Sequence, residues 1–434
     1  MAKTNHEFRD PIHVFVRLDS DERRILDSRP VQRLRHIHQL ALSYLIYPGA
    51  THKRFEHSLG VMELAGRVFD VITHEESLRG DVRELLPESF KPKERDYWRG
   101  VLRMAALCHD IGHLPFSHAS ERELLPQGWN HERLSQELIL SAEMEALWKK
   151  MTPPLRSEDI VKLAVGRKIA GVTFSNWEAI LSEIIVGDAF GVDRIDYLLR
   201  DSYHAGVAYG RFDHYRLIDT LRILISPETG EPVLGVEEGG IQSAEALALA
   251  RYFMFTQVYL HPVRRVYDLH LKQYLQGWLP GGIFPTDLDD HLKITDSDVS
   301  AALWAASVDS AAPLHAAARR IVCREHYREV YRRNPRDVAT NPEAGQQIAE
   351  GAGDQFGPEH VLHDEYKQGG GTSDFPVLMK DGTVVPALSA SQVLQELPIV
   401  AIDYVFVERS KFDEVKSWLA ANREALISPK ETEE

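Results

Sequence analysis

The sequence predicts a mainly α-helical protein with a small β-hairpin and a small α/β module at its C-terminal end. Between about residues 20 and 201, apolar residues such as Val61, Leu64 and Val68 recur at three- and four-residue intervals, which is the period of a helix. Two short β-type runs flank a turn at 227–230, and a continuous apolar run at 399–407 precedes a last helical pattern. These three observations define the predicted fold class.

Prolines and glycines mark the boundaries between the predicted elements. Prolines separate the periodic stretches of the first part, and the hairpin strands are expected at 221–225 and 232–236. Several glycines and few aliphatic residues between 334 and 374 indicate a flexible loop or an insertion. We therefore predict five regions, namely a helical core (1–220), a β-hairpin (221–240), a second helical region (241–334), the loop or insertion (335–374) and the α/β module (375–434).

Composition excludes several classes of protein. The 434 residues contain 50 Lys+Arg and 65 Asp+Glu, a formal charge of −15, which opposes a role in coating nucleic acid because phosphate binding needs a basic surplus. Two cysteines cannot build a disulfide framework, and no apolar run approaches the roughly 18–20 residues that span a bilayer. We expect a cytoplasmic protein that has neither a membrane nor a nucleic acid as its partner.

The 20 histidines are the unusual feature of this acidic chain, and several of them lie in one segment. The stretch 104–118 places His109, His113 and His118, together with Asp110, in an apolar helical pattern. We expect His109 and His113 to share a helix face, and Pro115 to end the helix so that a turn returns His118 to the same place. Burying this set is costly unless a divalent cation compensates.

A metal site needs further ligands from elsewhere in the chain. His57 lies at the start of a strongly periodic helical pattern. In a second predicted helix, Asp193, Tyr197 and Asp201 recur at intervals of four residues and so share one face. Taken alone, each of these residues fits a solvated charge or a helix cap better than a metal ligand.

Taken together, the order His57, His109-Asp110, Asp193 resembles the H…HD…D signature of the HD-domain metal-dependent phosphohydrolases. The segments 47–50, 52–61 and 108–118 look like the deoxynucleoside triphosphate triphosphohydrolase branch of that family, and the resemblance runs from about residue 8 to residue 270. It implies a helical HD-domain core whose active site is completed by the region 241–334. The implied activity is hydrolysis of a dNTP to a deoxynucleoside and tripolyphosphate.

The resemblance also implies roles for individual residues. The implied ligands of one divalent transition metal (Fe, Mn, Co, Ni or Zn) are His57, His109, Asp110 and Asp193, with Mg or Mn accompanying the substrate phosphates. Proton handling falls to His113, His118, Glu121 and His131, and Glu121 is expected to orient His118. The implied substrate contacts are Gln39, Arg54, Arg194, Tyr197, Asp201, His261 and Tyr267.

Three positions bear on regulation. Asp27, Gln32 and Arg35 match residues that bind an activating guanine nucleotide, GTP or dGTP, at a subunit interface in regulated members. A nucleotide that bridges subunits would make the protein a homotetramer with coupled effector and substrate sites. Arg33 and Arg35 fit ordinary surface charges equally well.

Two alternatives to a dNTP triphosphohydrolase remain open at this point. The chain fits an HD-domain phosphohydrolase that cleaves a nucleoside monophosphate, an alarmone or a cyclic nucleotide. A non-catalytic nucleotide-sensing regulator on the same fold is the second alternative, and it is disfavoured because every metal position is kept.

Overall fold

The fold is mainly helical with small sheets, which confirms the fold class that the sequence predicts. A computed structural model describes residues 5–78, 80–86, 91–116, 121–369 and 373–428. Two structural units are present: the first comprises Met1–Met254, Ile283–Val299 and Thr372–Leu397, and the second Phe255–Gly282, Ser300–Gly371 and Pro398–Glu434. No helix in the described ranges combines the length and the apolar character that crossing a bilayer requires.

Helices make up most of the secondary structure, and the strands between them are short. The helices are α1 (Ser20–Leu26), α2 (Arg29–Arg33), α3 (Arg54–Ile72), α4 (Gly80–Leu85), α5 (Pro92–Cys108), α6 (Glu121–Leu124), α7 (His131–Ile139), α8 (Ala142–Trp148), α9 (Ser157–Ala170), α10 (Asn176–Val186), α11 (Val192–Ala205), α12 (His214–Asp219), α13 (Ile241–Met254), α14 (Pro262–Trp278), α15 (Leu288–Lys293), α16 (Asp296–Val308), α17 (His315–Val322), α18 (Pro335–Thr340), α19 (Ala344–Phe356), α20 (Ala387–Ala390), α21 (Gln392–Glu396) and α22 (Phe412–Ile427). The strands are β1 (His6–Asp10), β2 (Val14–Leu18), β3 (Leu221–Ile225), β4 (Pro232–Glu237), β5 (Arg328–Arg332), β6 (Val361–Lys367), β7 (Pro376–Leu378), β8 (Val384–Pro386) and β9 (Ala401–Val407).

The first unit is built around α3, which packs against α5, α10 and α11. Its apolar positions are almost all buried, including Val61, Leu64 and Val68, so the helical period seen in the sequence is the period of the core-facing stripe. Local sequence sets several helix starts. Ser175 and Glu178, for example, form a capping box at the beginning of α10, in which each side chain accepts a hydrogen bond from the other residue's backbone N–H.

The hairpin predicted between 221 and 240 is present as the antiparallel pair β3–β4, with Leu221 opposite Val236. It does not stand alone. β7 pairs with β4 in parallel and β8 pairs with β7, which gives a four-stranded sheet in the order β3-β4-β7-β8. Residues 376–386 therefore belong to the first unit, and the predicted module at 375–434 is wrong at its N-terminal boundary.

The second unit contains a three-stranded antiparallel sheet in the order β5-β9-β6, covered by α19 and α22. Its apolar centre is formed by Tyr331, Ala344, Ile348, Val405 and Leu419. The prediction of a flexible loop over 335–374 is therefore wrong for most of this region, because α18, α19 and β6 lie there. The glycines of this region suggested a loop, but Gly345 and Gly353 are buried positions within α19.

The helix that carries the histidine cluster ends earlier than the sequence suggests. α5 stops at Cys108, and the chain continues in hydrogen-bonded turns, with the N–H of His113 donating to the carbonyl of Asp110 at 3.2 Å. His109 and His113 consequently do not share a helix face. The turn brings His113 to Asp110 instead, with Nε2 of His113 3.1 Å from Oδ1 of Asp110.

Gly60 allows α3 and α11 to approach each other closely. A Cβ at this position would overlap the carboxylate of Asp196 and the guanidinium of Arg200, both fully buried. A side chain of any size here must therefore push the two helices apart or displace the buried ion pair. The close approach is what lets residues of α3 hydrogen bond to residues of α11.

We predict that Gly60→Ala destabilises the protein by about 1–3 kcal/mol, which is the usual cost of overpacking a core. Thermal and urea unfolding measure the effect. Gly100→Ala, in the interior of α5, is the matched control because its Cβ would make only ordinary contact with Leu155. It should leave the protein as stable or more stable, by about 0.5–1 kcal/mol. Equal unfolding midpoints for the two variants would contradict the close-approach account.

Candidate metal centre and active site

Three helices of the first unit bring the four predicted metal ligands together. His57 lies in the first turn of α3, His109 and Asp110 directly follow α5, and Asp193 lies in the first turn of α11. Nε2 of His57 lies 3.1 Å from Oδ1 of Asp193 and 3.8 Å from Oδ2 of Asp110. Nε2 of His109 lies 3.6 Å from Oδ1 of Asp193 and 3.4 Å from Oδ1 of Asp110.

The hydrogen bonds of the two imidazoles decide which ring nitrogen faces this cluster. Nδ1 of His57 donates to Oδ2 of Asp196 at 2.8 Å, and Nδ1 of His109 donates to the carbonyl of Ala106 at 2.8 Å. In the neutral rings, Nε2 therefore carries the lone pair. Both Nε2 atoms are buried, and neither makes a hydrogen bond of good geometry among the described residues.

Lone pairs and carboxylate oxygens that converge in this way repel one another unless a positive charge lies among them. His57, His109 and Asp110 present donor atoms close enough together to hold one ion. Imidazole nitrogen with carboxylate oxygen is the donor mixture that Mn, Fe, Co, Ni and Zn accept. The residues present therefore fit a divalent metal ion, and this donor mixture does not select among those metals.

The electrostatics of the cluster agree with a cation site. Burial opposes a charged imidazole, yet the carboxylates of Asp193 and Asp196 outweigh it and raise the pKa of His57 to about 10. A field that holds a proton this tightly also attracts a metal ion. The guanidinium of Arg54 is buried and paired with Asp110, and it limits the negative charge that accumulates there.

Asp196 is the important residue of this region that sequence reasoning missed. It is fully buried, and besides His57 it bonds to Nε2 of His13 at 2.6 Å and to Nε and Nη2 of Arg200 at 2.8 and 2.9 Å. Nη1 of Arg200 also donates to Asp10 at 2.8 Å. The signal available in the sequence was the spacing of Asp196, three residues after Asp193 and four before Arg200.

Beside the metal ligands lies a pair of stacked histidines. The rings of His113 and His131 are 4.0 Å apart and nearly parallel. Nδ1 of His131 donates to Glu121 at 2.7 Å, and the backbone N–H of His131 donates to the same oxygen at 2.6 Å. Among described residues, the imidazole oriented by Glu121 is thus that of His131; the predicted partner, His118, lies outside the described residues.

The two stacked rings have opposite protonation tendencies. Burial lowers the pKa of His113 well below its usual value, and the nearby Arg54 and His131 lower it further. Burial also opposes charge on His131, but the hydrogen bond to Glu121 prevails and raises its pKa. The site thereby pairs an imidazole whose neutral form is favoured with one whose protonated form is favoured, a division that suits acid–base chemistry.

The predicted sugar contacts lie on one stretch of α11 and on the segment before α3. Tyr197 follows Asp193 by one helical turn, and Asp201 follows Tyr197 by another. Nε2 of His52 bonds to Asp201 at 2.7 Å, and the carbonyl of His52 accepts the N–H of Gln39 at 3.0 Å. Gln39 and Asp201 are therefore linked through one residue.

The two arginines predicted to contact phosphates are both engaged within the first unit. Arg54 pairs with Asp110, as described above. Nη1 of Arg194 donates to the carbonyl of Asp188, and the guanidinium also hydrogen bonds to Tyr197, whose pKa is raised by burial. Their roles toward a substrate stay predictions.

The two remaining predicted substrate residues, His261 and Tyr267, belong to the second unit. His261 precedes α14 and its Nδ1 accepts the N–H of Val263, whereas Tyr267 is fully buried within α14 and contacts the ring of His326 edge to face. Their assignment to the substrate stays a prediction.

Three residues are predicted to bind an activating nucleotide: Asp27 directly follows α1, Gln32 lies in α2, and Arg35 lies in the turn after α2. Gln32 donates to the carbonyl of Leu26 at 2.8 Å and accepts from Nε of Arg35 at 2.9 Å. Asp27 accepts from Nε of Arg23 at 2.7 Å. The structure thus brings Gln32 and Arg35 together and places Asp27 in a local ion pair at the end of α1.

Arg33 is not the surface charge that one interpretation of the sequence allowed. Its side chain is 4% exposed, and burial lowers its pKa to about 10. It donates to the carbonyls of His113 and Ile294 at 2.8 Å each. Helix α2, which also carries Gln32, is therefore tied directly to the turn that carries His113.

Two family models match parts of the chain. The family model for the HD domain matches residues 54–167, and the model for the HD associated region matches residues 212–401. The chain belongs to the HD-domain family. The first match contains α3, α5 and the turn after α5, and so includes three of the four predicted metal ligands.

Several known proteins are similar to part of this HD-domain chain. An uncharacterized protein of Methanocaldococcus jannaschii is 36% identical over 61% of this chain and 48% of its own length, and YwfO of Bacillus subtilis, also uncharacterized, is 32% identical over 62% and 54%. The deoxynucleoside triphosphate triphosphohydrolase SAMHD1 of Mus musculus is 35% identical over 50% of this chain and 34% of its own length. The chain thus matches about half, or less, of the length of these curated relatives.

Solved structures share the fold over nearly the whole chain. A hypothetical protein from Aquifex aeolicus is 31% identical, with a TM-score of 0.78 over 96% of this chain and 100% of that one. A phosphohydrolase from Bacteroides thetaiotaomicron, 24% identical, has a TM-score of 0.71 over 94% and 100% and so supports the fold alone.

We predict that His109→Ala removes the metal ion. The loss should exceed the roughly 10–100-fold drop in affinity that follows removal of a residue merely supporting a ligand, because a donor atom itself is lost. Metal content per chain, measured by inductively coupled plasma mass spectrometry, checks this. His74→Ala is the control, since His74 is exposed and lies beyond the C-terminal end of α3. Full metal content in the His109 variant would show that the site is assigned wrongly.

Proposed function

We propose that this HD-domain protein is a metal-dependent triphosphohydrolase that cleaves a dNTP to a deoxynucleoside and tripolyphosphate. The observation that carries the proposal is the position of the His113–His131 pair, which adjoins Asp110 and so places acid–base groups next to the metal donors. The similarity of the chain to SAMHD1, whose name states this activity, supports the choice of substrate.

In the proposed reaction, water attacks the α-phosphorus, the bond from that phosphorus to O5′ of the sugar breaks, and O5′ takes up a proton. His57, His109, Asp110 and Asp193 would hold a divalent ion, which would polarise a phosphoryl oxygen and lower the pKa of a water. His131, whose pKa the hydrogen bond to Glu121 raises, is suited to donate a proton or to offset developing negative charge. His113 stays neutral and keeps its Nε2 toward Asp110.

The residues proposed to hold the sugar follow from the direction of α11. With the α-phosphate at Asp193, successive turns of α11 place Tyr197 and then Asp201 further along the substrate. The hydrogen bond from His52 fixes the carboxylate of Asp201, and the amide oxygen of Gln39 is buried with no partner among the described residues. Both groups are suited to contact sugar hydroxyls. Close walls at this position would favour the 2′-deoxy sugar.

The proposal extends to regulation by a guanine nucleotide in a homotetramer, with Mg²⁺ or Mn²⁺ accompanying the substrate phosphates. Gln32 and Arg35 form an adjacent amide and guanidinium, the groups expected to bind a base and a phosphate. Arg33 supports a connection to catalysis because it hydrogen bonds to the carbonyl of His113. Activity and sedimentation, each with and without GTP, test this part.

The reaction products decide between this function and its alternatives. We expect a panel of dNTPs, offered singly and in mixtures with Mn²⁺ or Mg²⁺ and with or without GTP, to yield deoxynucleoside and tripolyphosphate. Chromatography and phosphorus NMR identify the products. Orthophosphate or pyrophosphate would instead indicate an HD-domain phosphohydrolase of other specificity. Absence of hydrolysis across the whole panel would favour a nucleotide-sensing role.

A second experiment tests His131 as a proton-bearing group. Glu121→Gln removes the carboxylate that raises the pKa of His131, so the imidazolium is lost at lower pH than in the unmodified protein. The alkaline limb of the profile of kcat/KM against pH should therefore move to lower pH. Glu137→Gln, on the same helix as His131, makes the same change in charge and should leave the profile in place. Unchanged profiles for both variants would exclude His131 from this role.

A further inference from the structure

A cavity of about 740 Å³ begins at the metal-ligand residues and extends through the first unit away from them. His109, Asp110, Asp193 and His131 line its inner end. Its walls are formed by the later parts of α9 and α10, by the turn of the β3–β4 hairpin and by residues around Phe375. Exposed residues of the hairpin turn line the other side, so the cavity connects the metal ligands with solvent.

The charge of this cavity is strongly one-sided. Beyond the metal ligands, six carboxylates line it, whereas the described lining residues that favour a positive charge there are Arg167 and His131. The six are Glu132, Glu183, Asp188, Glu228, Glu231 and Asp374. Arg194 lies 3.7 Å from Asp188, and two backbone N–H groups donate to Asp374, so these two are partly compensated. The glutamates of the hairpin turn are exposed.

Such a lining selects against the proposed substrate. A nucleoside triphosphate and tripolyphosphate are polyanions, and a passage with an excess of carboxylates repels them, whereas it concentrates cations. Apolar residues between the charges, including Val165, Phe190 and Phe375, keep the local dielectric low and strengthen the field. The part of the cavity beyond the metal ligands and His131 is therefore unsuited to the nucleotide and suited to a small cation.

The inner end of the cavity points to a particular cation. His109 is more than nine-tenths buried, lines the cavity, and its Nε2 has no hydrogen-bond partner among the described residues. An imidazole lone pair at the end of a carboxylate-lined passage is a transition-metal ligand rather than a site for an organic ammonium group. We propose that this cavity is the route by which the divalent metal ion reaches its ligands.

The inference rests on the metal centre and goes beyond the proposed reaction, since it concerns loading of the protein and involves no nucleotide. Carboxylates along the route act by raising the local concentration of the ion, which accelerates association in a salt-dependent manner. They are not ligands in the final site. Removing them should slow metal uptake and leave the loaded site unchanged.

The test compares two triple variants that carry the same change in net charge. The cavity variant is Glu183→Gln, Glu228→Gln and Glu231→Gln. The control variant is Glu94→Gln, Glu143→Gln and Glu414→Gln, three exposed glutamates that do not line the cavity. Each variant changes the formal charge from −15 to −12, because three negative charges are removed from the value for the whole chain. Metal-free protein is mixed with Co²⁺ in a stopped-flow instrument, and the visible absorption of the bound ion is followed.

We expect the association rate constant of the cavity variant to fall about tenfold or more at low ionic strength, with a weaker dependence on salt. The control variant should stay within about twofold of the unmodified protein. The final amount and visible spectrum of bound Co²⁺ should be the same in all three proteins. Arg167→Gln should accelerate uptake, because it removes the cavity's one guanidinium among the described residues.

Other outcomes overturn the inference. Equal rate constants in the two triple variants would show that the cavity does not guide the ion. The cavity variant alone could instead show unchanged metal uptake and altered inhibition of dNTP hydrolysis by added deoxynucleoside. That result would indicate that the cavity binds the neutral product. Because no nucleotide is needed for the Co²⁺ measurement, its failure is distinct from the failure of the proposed hydrolytic activity.

Discussion

The site depends on one buried carboxylate, that of Asp196. It takes hydrogen bonds from His13, His57 and Arg200, and Arg200 in turn bonds to Asp10. A buried ion pair is stabilising only when its remaining hydrogen-bonding capacity is satisfied, and here both oxygens of Asp196 have two partners each. The network joins α3, α11 and the β1–β2 hairpin, and it fixes Nδ1 of His57 as the donor. Nε2, the other ring nitrogen of His57, faces the other predicted metal ligands.

Charge is distributed unevenly around this centre, which reconciles the proposed action on an anion with a net charge of −15. Arg54 places positive charge next to Asp110, and Glu121 favours the imidazolium form of His131 beside it. The charged groups lining the cavity that opens from the same ligands are mainly carboxylates. The net charge of the chain therefore says little about the field at the site. Local placement of a few groups in a poorly solvated region determines it, because screening by water is weakest there.

Much of the fold was predictable because local patterns suffice for it. Helical periodicity predicted the core, and the two runs around 227–230 predicted the β3–β4 hairpin. Errors arose where long-range contacts override local composition. Glycines in α19 resemble those of a loop, but Gly345 is buried against Asp403 of β9, where a side chain would not fit. The pairing of β7 with β4 likewise joins residues that are about 140 positions apart, and no local pattern reports it.

The sequence by itself determined which residues are available for the metal centre, because the order and spacing of His57, His109-Asp110 and Asp193 are those of the family's signature. Only the tertiary structure decided how they are used. Helix α5 ends at Cys108, which turns His113 toward Asp110, and Asp196 reaches His57 from 139 residues away. Tautomers, partners and the path to solvent depend on which groups share a buried space. That is a property of packing between distant segments, whereas spacing along the chain reports only on neighbours within one helix or strand.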